Sequence, residues 1–179
     1  FDLDDYDGAF EKNEFSEVDL YLSYTLPFCP LGTTLTYAEY LFPHQNDESG
    51  ALHGSRELIA EAGHDIVGNL AANVLFGYDI DEVEDFYAEV GLSMGQDVVA
   101  DVLSAELGVV ASYVGDDWAI LNGGGTEGGF NHWAATLTLA HAPTEAVELS
   151  ANVGYTDSLD EDVLPEQDVD VFGGASASV

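Results

Sequence analysis

The sequence predicts an all-β protein, an antiparallel up-and-down sheet closed into a transmembrane barrel. Three observations carry that expectation. The first is a period of two, the strand period, because successive side chains of a strand point to opposite faces. It is clearest from Phe86 to Tyr113, where Phe86, Ala88, Val90, Leu92 and Met94 alternate with Tyr87, Glu89, Gly91, Ser93 and Gly95. After a polar break at Gln96 to Asp101, Leu103, Ala105, Leu107, Val109, Ala111 and Tyr113 alternate with Ser104, Glu106, Gly108, Val110 and Ser112. The second is that short and long connections alternate, as in a barrel whose ends face different compartments. The third is that large aromatics (Tyr24, Phe28, Tyr40, Phe42, Phe76, Tyr78, Phe86, Tyr113, Trp133 and Tyr155) sit at strand ends while the middle of the same face is Leu, Val and Ala, the pattern of an aromatic girdle around an aliphatic band.

Taken in order, Phe1 to Glu17 reads as an acidic loop. Val18 to Phe28 is the first strand, closed by a turn at Pro27, Cys29 and Pro30. Thr33 to Phe42 returns. Its parity is ambiguous, because Leu35 and Tyr37 fall opposite Ala38, Tyr40 and Phe42, and a bulge would reconcile them. After the polar loop Pro43 to Gly54 comes Arg56 to Gly63, whose helical alternative is cut short by Gly63. Gly68-Asn69 is a turn, Leu70 to Ile80 a strand and Asp79 to Asp85 an acidic connection into the hairpin already described. Gly115 to Asn131 is the longest connection. Strands follow around Trp133 to Leu139, Val147 to Tyr155 and Val169 to Val179, separated by a turn at Ala142 to Thr144 and an acidic loop at Thr156 to Asp168. The result is about nine strands of roughly 8–11 residues, longer than the ~5–6 of soluble sheets and near the ~9–11 of a membrane-crossing strand.

At 179 residues the chain reads as one domain, residues 1–179, and 46% hydrophobic content is enough for a core or a lipid-facing band. There are 35 Asp plus Glu against two cations, Lys12 and Arg56, for a formal charge of −33. Phosphates would be repelled, which excludes nucleic acid as the first expectation, and no basic patch exists for anionic headgroups. Such a surface suits a salty, cation-rich medium that screens self-repulsion, hence a halophilic setting. The lone Cys29 cannot form an internal disulfide. No apolar run reaches the ~18 residues of a membrane helix.

The other face of the strands is small and polar but carries Glu57, Glu61, Glu89, Glu106 and Glu148. A barrel lumen would leave room for water beside these carboxylates and set ion selectivity through them. The competing expectation is a soluble or secreted acidic β-protein that binds Ca²⁺ or assembles extracellularly, with the apolar face as its core.

The run Glu17 to Tyr24 with Tyr40-Leu41-Phe42-Pro43, the run Ala151 to Tyr155 with Thr156 to Pro165, and Phe172-Gly173-Gly174-Ala175-Ser176 resemble the TorF-like porins and related bacterial outer-membrane β-barrels. The resemblance implies an outer-membrane location, lipid as the surrounding partner, small solutes or cations as cargo, and no catalytic residues. Proteins of this kind begin with further strands and end on an aromatic residue. This chain opens at Phe1, stops at Val179 and counts an odd number of strands where single-chain bacterial barrels are even, so it is expected to be incomplete, above all at its N-terminus.

Asp5, Asp7, Gly8 and Glu14 match four positions of an EF-hand loop, but Leu3 would occupy its first ligand position. What remains is a weak Ca²⁺ site among Asp2, Asp4, Asp5 and Asp7, with Asp157, Asp160, Glu161 and Asp162 as a similar candidate. The histidines His44, His53, His64, His132 and His141 lack metal-ligand spacing. Gly123 to Gly125 are not followed by the Gly-Lys-Ser/Thr of a phosphate loop, so they read as a flexible extracellular loop. No Gly-x-Ser-x-Gly motif occurs, so neither an enzyme nor a cofactor is expected.

Overall fold

The computed structural model describes residues 18–29, 31–41, 54–100, 102–144, 147–165 and 170–178. Among these described residues nine strands run in chain order: β1 (Val18–Thr25), β2 (Thr34–Leu41), β3 (Gly54–Val67), β4 (Leu70–Asp79), β5 (Phe86–Val99), β6 (Leu103–Val114), β7 (Gly129–Thr144), β8 (Val147–Ser158) and β9 (Val171–Ser178). A helical turn, α1 (Asp116–Trp118), continues into a π-turn at Ala119–Gly123 between β6 and β7. Each strand pairs antiparallel with the next, in one sheet of order β1 to β9. The all-β, up-and-down expectation is met.

The expected closure is not. Among the described residues no pairing joins β1 to β9, so the sheet is open. Strand direction works against closure. In a nine-strand meander the first and last strands run the same way, and joining them would insert one parallel pair into an antiparallel sheet. Both edge strands are also short, 8 residues each against 12–16 in β5 to β8.

The β2 register corrects a second expectation. It runs unbroken from Thr34 to Leu41 against both neighbours, with no bulge. Leu35, Tyr37 and Leu41 therefore lie on the apolar face, with Thr34, Thr36, Ala38 and Tyr40 on the polar one. Polar partners fix this choice: Thr34 and Thr36 meet the hydroxyls of Thr25 (3.1 Å) and Ser23 (2.8 Å). The cost is Glu39 on the apolar face, where Arg56 meets it at 3.4 Å. Tyr40 thereby leaves the girdle.

Strand β7 runs through Ala142 to Thr144, which the sequence pattern assigned to a turn. A register shift between His141 and Thr144 accommodates Pro143, which cannot donate to the ladder. Phe28, expected in the first strand, lies in the following turn and is 96% exposed.

The aromatic belt is fuller at one end than at the other. Phe76, Phe86, Tyr113 and Phe130 form a continuous ring-to-ring chain at centroid distances of 5.8, 6.1 and 5.4 Å, and Trp133 packs on Tyr155 at 5.6 Å. All lie toward the end that carries the long loops. Phe130 was not anticipated, and Phe42 lies outside the described residues. Toward the short-turn end the same face presents Tyr24 in β1 and, on the later strands, the aliphatic Val67, Leu70, Met94 and Leu103.

Exposure is inverted relative to a soluble sheet. The apolar face is open: Val90, Leu92, Leu107, Leu137 and Val153 are 42–61% exposed. The buried residues of the strands lie on the polar face, among them Ala38, Ser55, Asp79, Ser112, Val114 and Ala134. That asymmetry has the sign of a sheet curled around its polar face. The one hydrophobic cluster among the described residues is small: Val114, Ala119 and Val163, with Tyr87 and Trp118 against it.

Candidate functional site

The polar face is the site, and strand register builds it. Glu57 lies opposite Ala38 and Asp79, Glu61 opposite Thr34 and Leu75, and Glu89 opposite Leu75 and Ser112. Glu106 lies opposite Gly95 and Thr138, and Glu148 opposite Ser178. Directly opposed residues share a face, so all five predicted glutamates stand on one surface. Asp19, Asp65, Asp79 and Asp97 share it. Among the described residues it carries no Lys or Arg. Arg56 stands on the opposite face, 3.4 Å from Glu39 and 3.5 Å from Asp81.

The carboxylates fall into three groups along the strands. Toward the long-loop end, Glu57 accepts the Tyr40 hydroxyl at 3.2 Å, while Asp79 accepts the Ser55 hydroxyl. The other Asp79 oxygen accepts the backbone N–H of Asp81 (2.8 Å) and Val83 (3.2 Å), so this residue also shapes the β4–β5 connection. In the middle, Glu61 and Glu89 line one cavity of about 330 Å³ with Thr34 and Asn73. Glu89 also accepts the Tyr87 hydroxyl. Toward the short-turn end, Asp97 and Glu106 line a second cavity of about 460 Å³ with Asn69 and Ser104. Glu148 lies exposed at that end. Small residues make this room. Gly77, Gly91 and Gly154 are buried on the same face, and the Phe172 ring covers Gly154 so closely that a Cβ there would strike it.

Antiparallel succession gathers the connections β4–β5, β6–β7 and β8–β9 at one end, as the sequence predicts, and they pack on one another. Asp85 accepts from the N–H groups of Asp117 and Trp118, Thr126 N–H donates to the Asp162 carbonyl at 2.7 Å, and Val163 closes over Gly125 and Gly129. The loop at 42–53 lies outside the described residues. Sequence reading took Gly123 to Gly125 as free loop. Gly125 is instead pressed against the Val163 backbone, where a side chain would not fit.

The Ca²⁺ candidates Asp2, Asp4, Asp5 and Asp7 lie outside the described residues. In the second candidate, Asp160 caps its own turn through the Asp162 N–H at 3.0 Å, and Asp157 accepts from Tyr155 at 3.4 Å. No group of potential metal ligands converges among the described residues.

A cluster missed by sequence reading sits at the β6–β7 irregularity. Ser112 Oγ lies 2.8 Å from His132 Nδ1, and Asn131 Nδ2 lies 3.1 Å from the same nitrogen. A nucleophile relay needs its base oriented through the opposite ring nitrogen. Here both neighbours meet one nitrogen and Ser112 is 1% exposed, so the cluster closes the irregular ladder rather than forming a relay. Ser112 is 20 positions from His132 in sequence, and they meet beside the register shift between Ala111 and Tyr113.

Cys29 sits in the β1–β2 turn with its Sγ 2.9 Å from Thr33 Oγ1. That hydroxyl, followed by a backbone hydrogen bond from Leu31, holds the thiol below its ordinary value of 9.0. The lowered value means thiolate persists to lower pH. Iodoacetamide alkylation followed against pH should therefore show its midpoint below 9.0, and Thr33→Val should move it upward. An unchanged midpoint in the variant would refute the role of the hydroxyl.

Compared with protein-family models, curated proteins and solved structures, the chain matches none.

Proposed function

We propose that this chain forms wall and lumen of an outer-membrane β-barrel that acts as a porin-like channel for small, preferentially cationic solutes. The observation that carries the reading is the inverted exposure: Leu92, Leu107 and Leu137 are exposed while the buried strand positions lie on the carboxylate-bearing face. In water an apolar face of this extent would aggregate or find a cover, whereas in lipid it is the stable outer surface. The aromatic chain near the long loops is placed as interfacial residues are in membrane barrels. A polar face with nine carboxylates and no cation among the described residues would concentrate cations and repel anions in a confined lumen. The resemblance to TorF-like outer-membrane porins points the same way.

The test is a reversal potential across a planar bilayer under a KCl gradient, using the full-length protein. Cation preference is the expected result. Anion preference would overturn the pore's selectivity, and absence of conductance from folded protein would leave a barrel without a channel.

A further inference from the structure

We infer that the β6–β7 connection is a latched lid over the polar face, held shut by the Asp85 carboxylate. The segment does not extend away from the sheet. Trp118 of α1 lies on the Tyr87 ring at a centroid distance of 5.1 Å, and Tyr87 stands on the polar face directly opposite Val114. Beneath this turn Val114 is 0% exposed although its strand faces no second sheet. The lid therefore buries the polar-face wall of β5 and β6 at the long-loop end.

One side chain from a neighbouring connection sets its position. Asp85 Oδ2 accepts the backbone N–H of Asp117 at 2.9 Å and of Trp118 at 3.2 Å, while Oδ1 accepts its neighbour Phe86 N–H at 2.8 Å. Hydrogen bonds to a charged acceptor are the strong kind. The fit is close enough that Gly115 has no room for a Cβ against this carboxylate. The far leg of the loop closes locally, with Asp116 Oδ1 accepting Gly128 N–H at 2.7 Å. Ala119 and Trp118 pack against Val114, Val163 and Tyr87, but Ile120 and Leu121 stay exposed, so the carboxylate adds the directional hold on the first turn. Loss of the Asp85 acceptor should thus free α1 and uncover Val114 without unpairing the strands. That such movement would widen the entrance rests on the channel reading above; the lid does not.

The test reads access, not conduction. In a Cys29→Ser background, Val114→Cys is labelled with a positively charged, membrane-impermeant methanethiosulfonate. Protection is expected while Asp85 is present. Asp85→Asn, nearly isosteric, and Asp85→Ala should raise the labelling rate about tenfold or more as the local opening equilibrium shifts. Strand content by circular dichroism checks that each variant is folded. Acrylamide quenching of Trp118 in a Trp133→Phe background gives the same readout without a new cysteine, and quenching should rise in both Asp85 variants. Unchanged labelling and quenching in folded variants would overturn the latch. So would Val114→Cys that labels as fast as the half-buried Cys29 of the parent chain. Conductance recorded in parallel separates the two ideas. A protein that never conducts refutes the channel, while the labelling still decides the lid.

Discussion

Leu107→Arg is expected to cost about 2–4 kcal/mol of folding stability in a bilayer, the penalty for a cation at the lipid-facing midplane of a barrel. Leu107 lies opposite Met94 on one side and Leu137 on the other, midway along β6 on the exposed apolar face. In water a half-exposed arginine would cost little, because surface substitutions away from special features stay within about ±0.5 kcal/mol. The size of the effect therefore reports the solvent of that face. Glu106→Gln provides the control. It sits one residue away, points to the opposite face and has water-accessible space beside it. Denaturant unfolding in lipid vesicles measures both. A full penalty for Leu107→Arg with a near-zero effect for Glu106→Gln is the outcome the barrel demands. A neutral Leu107→Arg in a protein that remains in the aqueous phase would sink the membrane reading and return the soluble acidic alternative.

The second large effect is expected in ion selectivity. Glu61 and Glu89 flank Leu75 and line the same cavity, so their charges act on one stretch of any path along the polar face. The double variant Glu61→Gln, Glu89→Gln should reduce cation preference more than either single change, since each remaining carboxylate still draws cations alone. Lowering pH should act in the same direction, because protonation removes negative charge from the polar face, and the preference falls as pH falls. Salt should act likewise, because the screening length shrinks from about 10 Å at 0.1 M to about 3 Å at 1 M. Reversal potentials across these conditions decide it. Selectivity that is indifferent to both variants and to pH would show that these carboxylates do not line the path.

The alternation from Phe86 to Tyr113 was enough to assign both faces of β5 and β6, because period two maps a side chain to a face without knowledge of its neighbours. By the same parity all five glutamates could be placed on one surface before any pairing was known. The gathering of the acidic connections at one end followed from antiparallel succession alone. What parity cannot supply is the partner. In β2 it left Ala38 and Tyr40 undecided, and hydroxyl pairs with β1 and the Tyr40–Glu57 bond settled the face. Closure was equally out of reach. Whether a sheet joins its own edges depends on the direction and length of its first and last strands, and β1 and β9 run the same way. The Ser112–His132 contact and the Asp85 latch were invisible for a related reason. They join residues 20 and 32–33 positions apart through a register shift and a folded loop, features set by backbone geometry rather than by residue type. Local periodicity fixes where a side chain points. Only the tertiary arrangement decides what it meets there, because that is a matter of register, and register is a property of two strands at once.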